Sequence, residues 1–569
     1  MQPPPNPRRP RRPHPGTWPL LALLGCAEPP AYLPAPEDGS STPATAPGPD
    51  DPALFVDPRS TEPTAAAKLV RASMILRGVR PSLDEHARVA ADPDALEDLA
   101  RSWLATEAFA ATVRDIHEQA WLIDNAFVLL AASDGVRDVP MATIQRTVWD
   151  APLHEIAAVV VDGRPYTEVV TGQTTVADPV LAEIWSGLTP TGAGETQGWT
   201  EHAWTDGRPR AGVLSHSSLW LRYRSAGINY NRGRANALYR ALLCEDLLAR
   251  EVDLTSDVDL ADPEATNEAI RSDPACATCH AILDPIASAL PFRPQWRADE
   301  MDLPFAVYDP AFDDLWATTS EVAPGFVGTP VADLAELGAA IAADPRFVDC
   351  AVRRFAGHAL QLPPGEVDPA LVTELREPFV TSGLDARELA LQAALHPDVL
   401  AGPWLRATPA QLDRQLTDLV GTPWTATLDE PCCGGRAGSS PYGTFHLLRD
   451  RRFGFHMLAG GMDALFDEAP VRTSTPTTRL VLQSMARDAA AGVVARDLSP
   501  GAAGRLIVAG PLQVQVEQVH LRVLGEAHPD EVADSLALWE RVRDRSGDPD
   551  RAWEVVLTAL FQDIRLLHY

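Results

Sequence analysis

The residues best suited to chemistry are five consecutive ones, Cys276-Ala277-Thr278-Cys279-His280. Two cysteines three positions apart, with a histidine directly after the second, are the attachment signal of a c-type haem. The two thiols add to the two vinyl groups of one porphyrin, so their spacing has to match that edge. The adjacent imidazole then reaches the iron as its proximal ligand. The sequence therefore predicts one covalently bound haem c, held by Cys276, Cys279 and His280.

Other cysteine and histidine chemistry is less well supported. A zinc half-site would need a second CxxC or an HxxxH partner, and the sequence contains neither. A plain CxxC disulfide remains the other alternative. The pairs His117-Glu118 and His154-Glu155 begin like the HExxH motif of metalloproteases but lack its second histidine. We expect both of these histidines to be packed or surface residues.

A c-type haem also has a sixth coordination position. A methionine or histidine there gives an electron carrier, whereas an open position permits small-ligand chemistry. The favoured donors are His216, in a loop between apolar residues, and Met301, which follows the motif at about the distance of a small cytochrome's distal loop. Further donors are His358, His456 and Met457. For each of them the alternative is a packed core residue.

Length, composition and net charge limit the number of domains and the kinds of partner we expect. The chain has 569 residues, of which 45% are hydrophobic, and this length suggests three or four domains. The net charge of -30 argues against binding to nucleic acid, which relies on Lys and Arg contacts to phosphate. It argues equally against peripheral binding to anionic lipid.

The first residues predict an exported lipoprotein. The basic segment RRPRRPHPG precedes a short apolar stretch from Trp18 to Leu24, and Leu23-Leu24-Gly25-Cys26 resembles a bacterial lipobox. In that motif Cys26 is acylated and becomes the new N-terminus, so we expect a location in the bacterial cell envelope. The alternative is a disordered basic tail. Residues 27–62 are rich in Pro, Ala, Ser and Thr and are typical of an extended tether.

The patterns in the rest of the sequence mainly predict helices. Ser82 opens a capping box, Asp92-Pro93 is expected to begin a helix, and a Gly/Thr-rich loop is expected from Gly187 to Gly198. Asp284-Pro285 is expected to end the haem segment. Apolar spacing and proline positions predict further helices at 107–122, 232–248, 334–341, around Cys350 up to Pro363-Pro364, at 369–377, at 386–395 and after Asp548-Pro549. The run CCGGRAGSSPYGT is expected to be a loop.

These patterns predict a mainly α fold, with several helical modules in series and a small cytochrome-c-like haem module in the middle. The predicted segments are a lipoprotein signal peptide (1–26), a tether (27–62), a helical module (63–205), the haem module (206–300), a helical module (301–404) and a C-terminal helical module (405–569).

In this order of modules the chain resembles the cytochrome-like, multi-module proteins of planctomycetes and myxobacteria. The residues that carry the resemblance are RASMILRGVRPSLDE, RPYTEVVTGQTTV, RAGVLSHSSLWLRY, RGRANALYRALLC, DPACATCHAILDP, FVDCAVRRFAGHAL and FVTSGLDARELALQAALHPD. Together they span about residues 63–400. After CHAILDP the family has a glycine and then an aromatic, Asp-containing stretch, whereas this chain reads IASALPFRPQW.

The resemblance implies an exported helical protein that binds haem c, and it places His216 in a family-like segment ahead of the motif. Of the seven cysteines, four remain after lipid and haem attachment, and they allow three pairings. Related sequences often carry cysteine at Cys244 and Cys350, which favours pairing these two. Cys432 and Cys433 are then a vicinal pair or two free thiols.

Electron transfer to or from a redox partner protein is the favoured function, with the membrane reached only through the lipid anchor. One alternative is a haem enzyme, such as a peroxidase or dehydrogenase component, which needs an open distal face. Another is a structural surface lipoprotein without a functional haem. The family's biochemical role does not separate these functions.

Overall fold

The computed structural model describes residues 63–569, with gaps at 124–135, 137, 186, 197, 221, 224–229, 250–258, 260–261, 291–307, 432–440, 452–453, 463–469 and 503. The described residues belong to one structural unit, Pro58–Tyr569. Most of them are helical, which confirms the mainly α prediction. Within the described ranges, no helix combines the length and the apolar composition needed to cross a bilayer.

The first third of the described chain is helical with one small sheet. Its helices are α1 (Ala65–Arg77), α2 (Leu83–Ala91), α3 (Ala95–Trp103), α4 (Glu107–Trp121), α5 (Met141–Val161), α6 (Glu168–Thr171) and α7 (Pro179–Ile184). The capping box at Ser82 and Glu85 is present as predicted. The start predicted at Asp92-Pro93 is wrong, because Asp92 ends α2 and α3 begins at Ala95.

The three-stranded sheet corrects another prediction. Strands β1 (Thr175–Ala177), β2 (Leu188–Thr196) and β3 (Trp199–Trp204) pair antiparallel in the order β1-β3-β2. The segment predicted as a Gly/Thr-rich loop therefore forms β2, since threonine favours the extended backbone. Its glycines mark the irregular points: Gly192 has φ +82° inside a register shift, and Gly198 has φ +78° in the turn to β3.

Helices also dominate the middle of the chain. They are α8 (Arg232–Leu243), α9 (Pro263–Ser272), α10 (Pro274–Ser288), α11 (Trp316–Thr319), α12 (Leu334–Ala343), α13 (Pro345–Leu360), α14 (Pro369–Thr381), α15 (Ala386–Leu395) and α16 (Pro397–Leu400). Gly325–Phe326 (β4) and Thr329–Pro330 (β5) form a small hairpin. Helix α8 ends five residues before the predicted Leu248, because Cys244 adopts a left-handed backbone with φ +54°.

The C-terminal part consists of α17 (Pro409–Val420), β6 (Thr425–Pro431), β7 (Pro441–His446), α18 (Phe455–Leu458), α19 (Pro476–Asp497), α20 (Leu512–Leu524), α21 (Pro529–Ser546) and α22 (Pro549–Leu560). The last helix starts at Pro549 with Asp548 as its N-cap, as predicted. The PYGT end of the predicted loop is the start of β7, paired antiparallel with β6. Cys432 and Cys433 lie outside the described residues.

Two large apolar cores hold these elements. The first draws residues from Leu69 to Ala407 and includes Tyr569. The second lies among α17, α19, α20, α21 and α22. The backbone of Tyr569 pairs with Leu405 in both directions, at 2.9 and 3.0 Å, so the chain end closes onto the first core. Residues on both sides of the predicted module boundaries at 205 and 300 contribute to the first core. These boundaries stay predictions from the sequence.

Candidate haem-attachment site

Helix α10 carries the CxxCH motif in its first half. Asp273 caps the helix by accepting a hydrogen bond from the Ala275 amide at 2.8 Å, and Pro274 occupies the first helical turn, where its missing N–H costs nothing. The buried residues of α10 all lie in its second half, from Leu283 to Ser288. The helix is therefore held by its C-terminal half and presents its N-terminal half, with the motif, at the surface.

The predicted stop at Asp284-Pro285 is wrong. Helix α10 continues through Pro285 to Ser288. A proline inside a helix gives up the hydrogen bond to the carbonyl four residues earlier, here that of Ala281. Because Ala281 is exposed, water can satisfy that carbonyl.

Cys276, Cys279 and His280 share one face of α10, because residues three and four positions apart are neighbours on a helix. Both cysteines are half-buried, and neither is in a disulfide. Cys279 packs against the first core, with its Sγ 3.9 Å from the Leu247 carbonyl oxygen. The two thiols and the imidazole are thus placed together on the half of the helix that faces outward.

The His280 ring is oriented by a buried carboxylate. Its Nδ1 lies 3.1 Å from Oδ1 of Asp284, one helical turn later, and the Asp284 side chain is only 5% exposed. Arg232 at the start of α8 donates to the same carboxylate from Nε at 2.6 Å and from Nη2 at 3.0 Å. Burial alone would raise the pKa of Asp284, but the hydrogen bonds from His280 and Arg232 together hold it below its ordinary value.

The ionised Asp284 fixes the state of the imidazole. A carboxylate only accepts hydrogen bonds, so Nδ1 of His280 donates to it, and the neutral tautomer with the proton on Nδ1 has its lone pair on Nε2. A carboxylate behind a ligating histidine is a common device for orienting the ring and raising its basicity as a ligand. This role of Asp284 was not predicted from the sequence, although the i, i+4 spacing after His280 was a usable signal.

The residues present fit a c-type haem. Two unbridged thiols at the required spacing lie beside an imidazole whose Nε2 is available and whose Nδ1 is held. Within the described ranges, no group of three or more His, Cys, Asp and Glu side chains is arranged to hold a metal ion by itself. Cys26 and Met301, predicted as the lipidated residue and as one distal ligand, lie outside the described residues.

His216, the other predicted distal ligand, is fully buried. Its Nδ1 lies 3.0 Å from the Ser218 hydroxyl, and its ring meets Trp185 and Trp204 edge-on at 4.8 and 5.7 Å between centroids. Burial, helped by the charge of Arg208, lowers the pKa of His216 to about 3. The imidazole is therefore neutral and keeps a ligating lone pair, and its role at the iron stays a prediction.

The other candidate distal ligands, His358, His456 and Met457, lie on α13 and α18. His358 on α13 bonds to the Ile75 carbonyl oxygen at 3.0 Å, and His456 on α18 bonds to that of Leu448 at 2.9 Å. Burial lowers the pKa of both imidazoles, that of His456 to about 4. Met457 follows His456 on the same short helix. The two histidines have the backbone bonds of packed core residues.

The two incomplete HExxH motifs are also packed. His117 is buried, with Nδ1 2.7 Å from the Val113 carbonyl oxygen and Nε2 2.8 Å from the Tyr166 hydroxyl. His154 stacks on Trp199 with centroids 4.1 Å apart. Both positions agree with the expectation that these histidines are packed or surface residues.

Glu155 gives a pH-dependent stability. Burial raises its pKa to about 7, and a 2.6 Å hydrogen bond from Thr175 only partly opposes this. An unfolded glutamate titrates near 4.3, so the folded state binds the extra proton between about pH 4 and 7, and stability falls as pH rises through that window. We expect Glu155→Gln to remove this loss and to stabilise the protein at pH 8 by roughly 3–4 kcal/mol.

Urea unfolding from pH 4 to 8 measures this effect. Glu201→Gln is the matched control, since Glu201 lines the same cavity of about 270 Å³ but is more exposed. The control should keep the slope of wild type between pH 4 and 7. An unchanged slope in Glu155→Gln would contradict the assignment to Glu155.

The disulfide favoured by the resemblance is confirmed. Cys244, directly after α8, and Cys350 on α13 are bonded, with their Cα atoms 5.3 Å apart. Arg354, one turn after Cys350, lies with Nη2 3.6 Å from the Sγ of Cys350 and 3.9 Å from that of Cys244. The disulfide therefore links the C-terminal end of α8 to α13. Helix α8 also carries Arg232, which donates to Asp284.

Comparison with known proteins adds no family to this geometry: no protein-family model, curated protein or solved structure matches the chain.

Proposed function

We propose that this protein is an exported, lipid-anchored carrier of one haem c that transfers electrons to or from a redox partner protein. The observation that supports it best is the single helical face of Cys276, Cys279 and His280, with the imidazole oriented by Asp284 at 3.1 Å. Attachment of haem c takes place outside the cytoplasm, which agrees with the lipobox at Cys26 and the tether at 27–62.

The chain's own residues have separate tasks in this proposal. Cys276 and Cys279 would form the thioether bonds, and Nε2 of His280 would ligate the iron. Asp284 holds the ring and keeps the proton on Nδ1, while Arg232 keeps that carboxylate ionised. A bound haem supplies a one-electron redox couple.

Carbon monoxide separates the electron carrier from a haem enzyme. We expect the exported protein to cycle reversibly between oxidised and reduced spectra. We also expect the reduced spectrum to stay unchanged under carbon monoxide, because a sixth protein ligand leaves no open position. A carbon monoxide adduct would contradict the carrier and support a site for small-ligand chemistry.

Replacing Asp284 by Asn should raise the reduction potential. The ionised carboxylate favours the more positive, oxidised iron, and Asn removes that charge while keeping an acceptor for Nδ1–H. A unit charge several ångström away at an effective dielectric of about 20 is worth about 2 kcal/mol, or on the order of 100 mV for one electron. Because Arg232 offsets part of the charge, we expect a rise on the order of 50 mV.

Spectroelectrochemical titration of the exported protein measures this potential. Asp273→Asn is the matched control, since Asp273 also lies on the motif segment but bonds only the helix N-terminus. The control should stay close to wild type. A potential that is unchanged or lower in Asp284→Asn would contradict the proposed orientation of His280.

A further inference from the structure

A second site lies away from the haem motif. A cavity of about 340 Å³ opens between α4, α13 and the segments that contain Arg406 and Arg472. Its volume lies within the range of small-molecule sites. Neither cysteine of the motif nor His280 lines it.

Arginine side chains from distant parts of the sequence converge on this cavity: Arg354 on α13, Arg406 before α17, and Arg472 before α19. Arg354 and Arg406 are buried, at 7% and 3% exposure, and Arg472 is exposed at the rim. Within the described ranges, none of the three has a carboxylate oxygen within ion-pair distance. A fourth lining arginine, Arg240, donates to the Tyr223 hydroxyl at 2.8 Å.

The buried guanidinium groups are held in place by neutral partners. Arg354 donates to the Ala241 carbonyl oxygen at 2.5 Å. Arg406 donates to the carbonyls of Val471 and Ala459 and to the Thr478 hydroxyl, while its Nε is buried without a hydrogen-bond partner. These bonds hold the two guanidinium groups in position, but the neutral partners do not compensate their positive charge.

The acidic groups near the cavity offset only part of this charge, since a single aspartate lines it beside four arginines. Asp246 is the acidic lining residue, and its carboxylate already accepts from the Asn236 side chain and the Leu248 amide, each at 2.9 Å. Glu366 acts on Arg472 only from beyond ion-pair distance. Burial lowers the pKa of Arg354 and Arg406, which reflects the cost of keeping their charge there. In a chain of net charge -30, such a concentration of positive charge is unusual.

The rest of the wall is apolar or fixed. Ile116, Leu122 and Leu362 supply hydrocarbon surface. Gln361 and Gln411 both donate to the Tyr569 hydroxyl, at 3.4 and 3.2 Å, so their amides are held by the chain end. The cavity thus combines converging positive charge with an apolar wall.

We propose that this cavity binds a small organic anion with two negative charges and an apolar body. Such a ligand offsets the buried charges, whose burial is costly when they are not paired, and its body packs on the aliphatic wall. The proposal goes beyond haem binding and does not depend on it, because the two sites share no residue.

Calorimetric titration with phthalate, an aromatic dicarboxylate, tests the proposal on the full exported chain in low-salt buffer. We expect one site per chain and no binding of benzyl alcohol, a neutral molecule with a similar apolar body. Arg472→Glu at the exposed rim should weaken phthalate binding at least tenfold, an effect of about 1.4 kcal/mol.

Arg541→Glu is the matched control, since it makes the same charge change at an exposed arginine on α21 that does not line the cavity. This control should change the affinity less than twofold. Three results would overturn the proposal: no phthalate binding at millimolar concentration, equal losses in the two variants, or binding of inorganic phosphate without phthalate. Because Arg472 is exposed, its variant is expected to fold.

Discussion

Replacing Cys244 and Cys350 by alanine lowers the free energy of unfolding by about 4 kcal/mol. The two residues are 106 positions apart, so their bond removes a large amount of loop-closure entropy from the unfolded chain. In the chain-entropy model a closed loop of about 100 residues is worth nearly 5 kcal/mol, and measured losses of native disulfides run from about 2 to 5. The loss should appear as a lower urea midpoint of unfolding.

The comparison is sharpest in a background in which Cys276, Cys279, Cys432 and Cys433 are all replaced by alanine, which excludes bridges at the haem motif and between the vicinal cysteines. In that background, treatment of the parent with reductant should reproduce the loss, while the alanine variant at 244 and 350 should not respond to reductant. A variant within about 1 kcal/mol of the oxidised parent would contradict a stabilising role for this bond.

The second large effect concerns the haem. Replacing both Cys276 and Cys279 by alanine should abolish covalent attachment, because both thioether bonds are lost while His280 and Asp284 stay in place. Each single replacement should leave one thioether and a shifted spectrum. The double variant should still fold, since both side chains lie half-buried on the outward half of α10. Circular dichroism of the variant checks this control.

The sequence predicted many helices close to their observed bounds. The apolar spacing of Leu334, Leu337 and Ile341, the Pro363-Pro364 stop after α13 and the Asp548-Pro549 start of α22 are local signals. At the start of α22 the aspartate caps the helix while the proline occupies its first turn. Local signals of this kind do not depend on the rest of the fold, which is why α12, α13, α15 and α22 could be predicted.

Other features depend on tertiary surroundings. Pro285 is a helix breaker by propensity, yet α10 continues past it, and Ala281, whose carbonyl loses its hydrogen bond, is an exposed residue. The threonines of β2 favour a strand, but the glycines among them led to the prediction of a loop. In the structure these glycines lie at a register shift and in a turn. The left-handed backbone at Cys244 ends α8 early, where composition alone favoured a longer helix.

The candidate sites show the same division. The order of Cys276, Cys279 and His280 is a covalent requirement, so the sequence alone could predict the haem motif. The contact of Asp284 with His280 could have been predicted from their spacing of four residues on the helix. The arginines of the anion cavity were not, because residues 354, 406 and 472 carry no shared pattern and meet only through the packing of distant segments.

A pyridine haemochrome spectrum tests the central claim most directly. The protein would be exported from a host with cytochrome c maturation, alongside the Cys276→Ala, Cys279→Ala variant. We expect a c-type band in the wild type that survives extraction of non-covalent haem and is lost in the variant. Wild-type protein without any covalent haem under these conditions would contradict the proposal and leave a helical protein without this cofactor.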